Sequence, residues 1–255
     1  MKLIQYRETQ KQLKRHIVLF VLMGLSFNAL SQNPDSTKAK VSGAVSITNN
    51  GVSLVPAFSL GNPAAIFDVA IRKKRFSFEP QMAFSVKDAT PWYLVFWLRY
   101  KAIETSKFNM RVGFHPGFLF DAGNQLVNGV DEEHITTSRF FVGELAPNYV
   151  ISKDVSVGVY YQHSRGFTSL LRKSHFLGIN AGFSDIRLGT KFYMKAAPQV
   201  YYLKNDDKEG FYVTSTIALA RRGFPVSVST LLNRKLRSDI PSDDFLWNVM
   251  LTYSF

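Results

Sequence analysis

From about position 52 to the end of the chain, apolar and polar residues alternate in segments of roughly 9 to 17 residues, separated by turns rich in Gly, Asn, Asp, Ser and Lys. A period of two marks β-strands with two unlike faces. In the last segment Phe245, Trp247, Val249, Leu251, Tyr253 and Phe255 share one parity, and Asn248, Thr252 and Ser254 lie on the other. One face suits lipid and the other water. The same split sets Phe224, Val226 and Val228 against Ser227, Ser229 and Asn233, and Leu188, Phe192, Met194, Val200 and Tyr202 against Arg187, Lys191, Lys195 and Gln199. A soluble β-sandwich alternates in the same way, so the choice rests on the connections and the chain ends.

Counting back from the C-terminus, the pattern predicts strands near 243–255, 224–236, 209–221, 187–203, 174–186, 154–167, 137–151, 108–120, 92–102, 75–86, 63–73 and 52–60. Connections alternate. Those at 73–75, 152–154 and 221–223 are tight, whereas 121–136, 168–173 and 204–208 are longer and polar. Transmembrane barrels join strands by short periplasmic turns and longer outer loops, and an even strand count returns both termini to the periplasm. Twelve strands meet that parity. The segment 41–48 alternates equally well (Val41, Gly43, Val45 and Ile47 against Ser42, Ala44, Ser46 and Thr48), so either it or 52–60, which contains Pro56, lies outside the wall. The alternation leaves both registers open.

The two chain ends supply the address. Lys2, Arg7, Lys11, Lys14 and Arg15 precede the nine-residue apolar run Ile17 to Leu25, and Ala29-Leu30-Ser31 places small residues before a cleavage point near Ser31/Gln32. That is the pattern of a secretory signal peptide, too short to span a bilayer core of about 30 Å. At the other end, alternating aromatics closing in Trp247, Tyr253 and a final Phe255 resemble the C-terminal signature of bacterial outer-membrane β-barrel proteins, a porin-like class. The resemblance covers the closing strand closely and the rest as a pattern. It implies recognition of the C-terminal strand by the barrel-assembly machinery, contact with outer-membrane lipid and lipopolysaccharide, and residence in the outer membrane of a Gram-negative bacterium. The organisation expected is a signal peptide over 1–31, a polar leader over 32–51 that contains the 41–48 segment, and one all-β domain over 52–255, a transmembrane antiparallel barrel of about twelve strands.

Composition removes several alternatives. The chain has 255 residues and no cysteine, which excludes disulfides, Cys-based zinc sites and thiol nucleophiles. The net charge of +12 falls to +8 once residues 1–31, with five basic groups and Glu8, are removed. That charge is spread over turns and lumen positions and accompanies no binding motif, so nucleic acid is not an expected partner.

With the polar parity facing inward, the lumen receives Arg72, Arg75, Arg99, Arg111, Arg187, Lys191 and Lys195, with Asp68, Glu79 and Glu144 as acids and His115 among them. A net cationic interior attracts anions. Paired with those carboxylates, the same arginines would instead fill the barrel, and twelve strands lie between barrels that side chains fill and barrels with a wide pore. Trp92, Tyr202, Trp247, Tyr253 and Phe255 are expected at the membrane interface, where aromatics form girdles.

Catalysis finds little support. The run Tyr160 to Gly166 resembles the His-x-Ser-Asn-Gly strand motif of outer-membrane phospholipase and lipid A deacylase barrels, but His163 and Ser164 are adjacent and no Asn comes after them. Strand neighbours point to opposite faces, so His163 cannot serve Ser164 as a base. Asp131-Glu132-Glu133-His134 lacks the glycine and the alternate spacing of a calcium loop. No catalytic residue, metal ligand or cofactor is therefore assigned. The function expected is a non-enzymatic, porin-like channel for small anionic solutes. A plugged structural or adhesive barrel with partner-binding outer loops comes second, and a lipid hydrolase third.

Overall fold

The computed structural model describes residues 38–127, 130–167 and 171–255; the expected signal peptide and its cleavage point lie outside the described residues. The strands are β1 (Lys40–Thr48), β2 (Ala64–Lys73), β3 (Phe76–Ser85), β4 (Pro91–Glu104), β5 (Phe108–Val127), β6 (Val130–Val150) and β7 (Val155–Gly166). They continue with β8 (Lys173–Leu188), β9 (Phe192–Asn205), β10 (Lys208–Arg221), β11 (Val226–Ser238), β12 (Phe245–Trp247) and β13 (Met250–Ser254). Consecutive strands from β1 through β12 pair antiparallel, and β1 closes the circle on β13. Because β12 and β13 both pair with β11 and are separated only by Asn248 and Val249, they form one interrupted wall strand. The wall thus has twelve strands, and both described chain ends meet at the same rim.

Closure depends on the last residue. The Phe255 amide donates to the Gly43 carbonyl and the Gly43 amide to the Phe255 carbonyl, both at 2.9 Å. A Cβ on Gly43 would lie 2.6 Å from the Phe255 ring, so glycine leaves the space in which that ring seats. Outward positions carry large apolar side chains that stay open, among them Ile47, Phe76, Leu98, Phe114, Ile179, Val200, Trp247 and Leu251. Such a continuous apolar belt around a closed sheet is the surface that meets acyl chains.

Besides Pro91, which opens β4, four prolines stand inside strands, and each coincides with a break in one ladder. The β2–β3 register skips Pro80, the β4–β5 register skips Pro116, β6–β7 skips Pro147 and β8–β9 skips Pro198. A proline has no N–H to give. Each remains paired on its other side, with Phe96, Phe141, Met110 and Ser215 respectively, so the wall stays continuous.

Several sequence expectations need correction. The wall begins at Lys40, and 52–60 is no strand: it holds a short 3-10 turn at Pro56–Phe58 inside the 49–63 connection. The strict alternation of β1 serves two solvents, whereas Val52, Leu54, Val55, Pro56 and Phe58 are apolar on both parities and suit a segment surrounded by protein. The long loop expected over 121–136 is largely strand, because β5 and β6 run on to Val127 and from Val130, and the Asp131 to His134 run lies on β6. The connection expected over 204–208 is a two-residue turn with Asp206 at φ 51°, and the break expected between 186 and 187 falls at 189–191, where Gly189 adopts φ 87°.

Candidate functional site

Strand register decides which side chains share the interior. On β3, β4, β5, β6 and β7 the inward set includes Glu79, Gln81, Trp97, Arg99, Lys101, Arg111, His115, Glu144 and Tyr160. Their centre is Glu144, whose side chain is 0% exposed. Arg99 approaches it as a fork, Nε to Oε1 at 2.7 Å and Nη2 to Oε2 at 3.2 Å, while Arg111 Nε donates to Oε1 at 3.0 Å and the Tyr160 hydroxyl to Oε2 at 2.9 Å. Arg99 Nη1 also bonds Glu79, and Arg72 Nη2 stands 3.3 Å from the other Glu79 oxygen. Gly113 makes room for this knot: a Cβ there would lie 2.7 Å from Glu144 Cγ. The guanidinium carbon of Arg99 sits 4.1 Å from the Trp97 ring centroid, and Trp97 packs on His115 at 4.1 Å. Forked, charge-assisted bonds of this kind are strong and directional. They hold the middle of the lumen on this side in one arrangement.

Toward the rim that bears the chain ends the interior is wetter. A cavity of about 470 Å³ opens there, lined by Lys101, Glu104, Arg111, Asn148, Tyr160 and Asn180 among others. Lys101 pairs with Glu104. Arg187 and Lys195 also face inward near this rim, are exposed, and have no carboxylate within ion-pair distance among the described residues.

The opposite end is occupied by residues 49–63. Trp92 Nε1 donates to the Phe58 carbonyl and the Tyr201 hydroxyl to the Leu54 carbonyl, both at 2.9 Å; Phe58 packs on Phe140 at 5.9 Å between ring centroids. These partners belong to β4, β9 and β6, so the segment reaches across the lumen. Beneath it Phe176, Tyr201 and Tyr212 stack at 4.6 and 5.0 Å and bury with Leu203 and Ile240, and Val55 packs against the group.

The structure therefore sorts the residues singled out from the sequence. Arg72, Asp68, Glu79, Arg99, Arg111, His115, Glu144, Arg187 and Lys195 all point inward, but only Arg72, Glu79, Arg99, Arg111 and Glu144 form one network; Asp68 bonds Gln81 instead. Arg75 and Lys191 are not wall residues: they occupy the tight turns after β2 and β8, where strand parity no longer assigns a face. Trp92 is not an interface aromatic. A bulge pairs Ala83 with Tyr93 and Phe84 with Pro91, leaving Trp92 as the extra residue, and it turns inward to 4% exposure. One inserted residue reverses the face of every later position on its strand. Tyr202, Trp247, Tyr253 and Phe255 lie on the outward parity. Tyr160 lies inward, as its shared parity with Gln162 and Ser164 predicts. Trp97, on the parity of Arg99, and the 49–63 segment are further members of the interior that the pattern does not single out, and the only signal for the segment is apolar character on both parities around Pro56.

No protein-family model and no curated protein matches the chain. Among solved structures it resembles the KdgM porin, 12% identical, with 84% of this chain and 99% of that one covered at a TM-score of 0.54. The KdgM porin in complex with disordered oligogalacturonate matches at 11% identity, 86% and 99% coverage and a TM-score of 0.51. The fold, a closed twelve-stranded antiparallel barrel, is the one found in these outer-membrane proteins.

Proposed function

We propose that the protein sits in the outer membrane with both termini in the periplasm and acts as a narrow, porin-like conduit for small anionic solutes. The observation that carries this reading is the imbalance of the wetted interior. The acid at its centre, Glu144, is buried and consumed by Arg99, Arg111 and Tyr160, while Arg187 and Lys195 stay exposed and unneutralised near the mouth. Fixed cations in a low-dielectric funnel raise the local anion concentration. A similar fold solved with oligogalacturonate, an anionic solute, supports the same chemical class.

In planar bilayers the expected result is small discrete conductance steps with anion selectivity. Arg187→Glu with Lys195→Glu should bring the permeability ratio down to unity or below, since neither residue holds the wall together. Cation-selective steps in the wild type, or an unchanged ratio in the variant, would end the anion assignment. The second reading, a closed barrel, is favoured by the 49–63 segment bridging β4, β6 and β9; silent bilayers with folded protein would establish it.

Orientation is tested separately. The chain has no cysteine, so a single Ser242→Cys variant reports the 239–244 connection alone. A membrane-impermeant maleimide should label it on intact cells. Labelling only after the outer membrane is opened would invert the topology.

A further inference from the structure

The outward face is largely apolar, but the rim opposite the chain ends carries exposed cations, which are paired strand to strand in one sector. Register places Arg165 opposite Lys173, His163 opposite His175, and His175 opposite Lys204, on three adjacent strands. All five take the outward parity. Neighbouring strands lie about 4.8 Å apart and diagonal neighbours about 7 to 8 Å, so the three cationic heads can converge on one polyanionic group. Arg165, Lys173 and Lys204 are exposed. Among the described residues no carboxylate stands within ion-pair distance of any of them.

The nearby acids are engaged elsewhere. Asp206 accepts the backbone amides of Arg172 and Lys173 at 3.0 and 2.7 Å, and Glu209 accepts the Tyr202 hydroxyl at 2.6 Å. Between the cations the imidazoles of His163 and His175 pack in a tilted pair at 4.4 Å, His175 Nδ1 meets the Tyr161 hydroxyl at 2.9 Å, and His163 Nδ1 is buried without a partner. The sector also sits at a defined height. One step down the same strands stand Tyr161, Leu177 and Tyr202, and the next step is Val159, Ile179 and Val200. Tyrosines at the top of an apolar belt mark the interface with headgroups. The corresponding outward positions on β1, β2, β3 and β5 are Ile47, Ala65, Phe84, Phe118 and Phe120. Arg139 on β6, opposite Phe118, and Arg234 and Arg237 on β11, opposite Val213 and Phe211, flank the sector on either side, and the paired cations of β7, β8 and β9 form the densest part of this rim.

We propose that Arg165, Lys173 and Lys204, with His163 and His175 between them, bind the phosphates of a multiply phosphorylated glycolipid headgroup in the outer leaflet. Bare cations just above a tyrosine row fit an anionic group held at that height, and forked arginine with point-charge lysine is the usual phosphate chemistry. The choice of leaflet rests on the orientation proposed above.

The test uses the full barrel in mild detergent, incubated with bis-phosphorylated lipid A, dephosphorylated lipid A or inorganic phosphate, with bound lipid counted by native mass spectrometry. Wild type should retain the bis-phosphorylated lipid at least tenfold better than the dephosphorylated one. R165Q/K173Q/K204Q should lose that preference, and K73Q/R221Q, which removes outward cations at the other rim, should keep it. Heat-shifted gel migration reports folding, and the single variants R165Q and K204Q, each expected to lose severalfold, replace the triple variant should it fail to fold. Equal retention of both lipids, or an unchanged preference in the sector variants, overturns the site. Competition by inorganic phosphate as effective as by the lipid overturns the lipid source. The readout is independent of orientation, which the Ser242→Cys labelling decides.

Discussion

Replacing residues 52–60 by a short Gly-Ser turn should raise single-channel conductance severalfold. Thr48 at the end of β1 pairs directly with Ala64 at the start of β2, so a connection of two to five residues would join these strands. The chain uses 49–63 instead. That excess is folded upon itself, the Leu60 amide donating to the Gly51 carbonyl at 2.7 Å and the Gly51 amide to the Asn62 carbonyl at 2.8 Å. It is then fastened to the wall through Trp92, Tyr201 and Phe140. A loop needed only for connection would not bury Pro56 or supply backbone carbonyls to side chains on β4 and β9. Removing it frees the cross-section at the rim opposite the chain ends and exposes the Phe176, Tyr201 and Tyr212 stack to water. Burial is worth about 25 cal/mol per Å² of apolar surface, so some loss of stability should accompany the gain in current. Equal conductance in the shortened and wild-type barrels would show that the segment does not obstruct the path.

Features of this barrel are legible in the sequence to the extent that they are determined locally. Phe245 to Phe255 declares its two faces because lipid and water select each position separately, whatever lies across the barrel. The same logic places Arg99, Arg111 and Glu144 inward. It cannot reveal that they touch, because Arg99 and Glu144 come together only through the register of β4, β5 and β6. Trp92 defeats the pattern for a sharper reason. Parity counting assumes an unbroken period of two, and one extra residue opposite Ala83 and Phe84 cancels it. Arg75 and Lys191 escape it similarly, since they sit where the chain turns. The 52–60 segment misleads because a buried interior segment and a wall strand are both apolar, and only the strictness of alternation in 41–48 distinguishes them.

Glu144→Ala should be the most destabilising single substitution in the interior, lowering the unfolding free energy by about 3 to 5 kcal/mol, the range for removing one partner of a buried ion pair. The carboxylate is fully enclosed and serves two guanidinium groups and a phenol. Without it Arg99, whose side chain is only 15% exposed, retains Glu79 alone, while Arg111, 46% exposed, can turn to water. The loss therefore falls mainly on Arg99. This makes a double-mutant cycle informative: Arg99→Met with Glu144→Met should cost less than the sum of the single changes, because the pair is removed together and neither charge is left buried. Gly113→Ala, which would put a Cβ 2.7 Å from Glu144 Cγ, should displace the carboxylate and reproduce part of the loss without altering any charge. Urea unfolding of the barrel in lipid, monitored by tryptophan fluorescence, reads every one of these variants. Additive single-site costs would show that Arg99 and Glu144 act independently, and the central knot would then be a crowded lumen rather than a structural clamp.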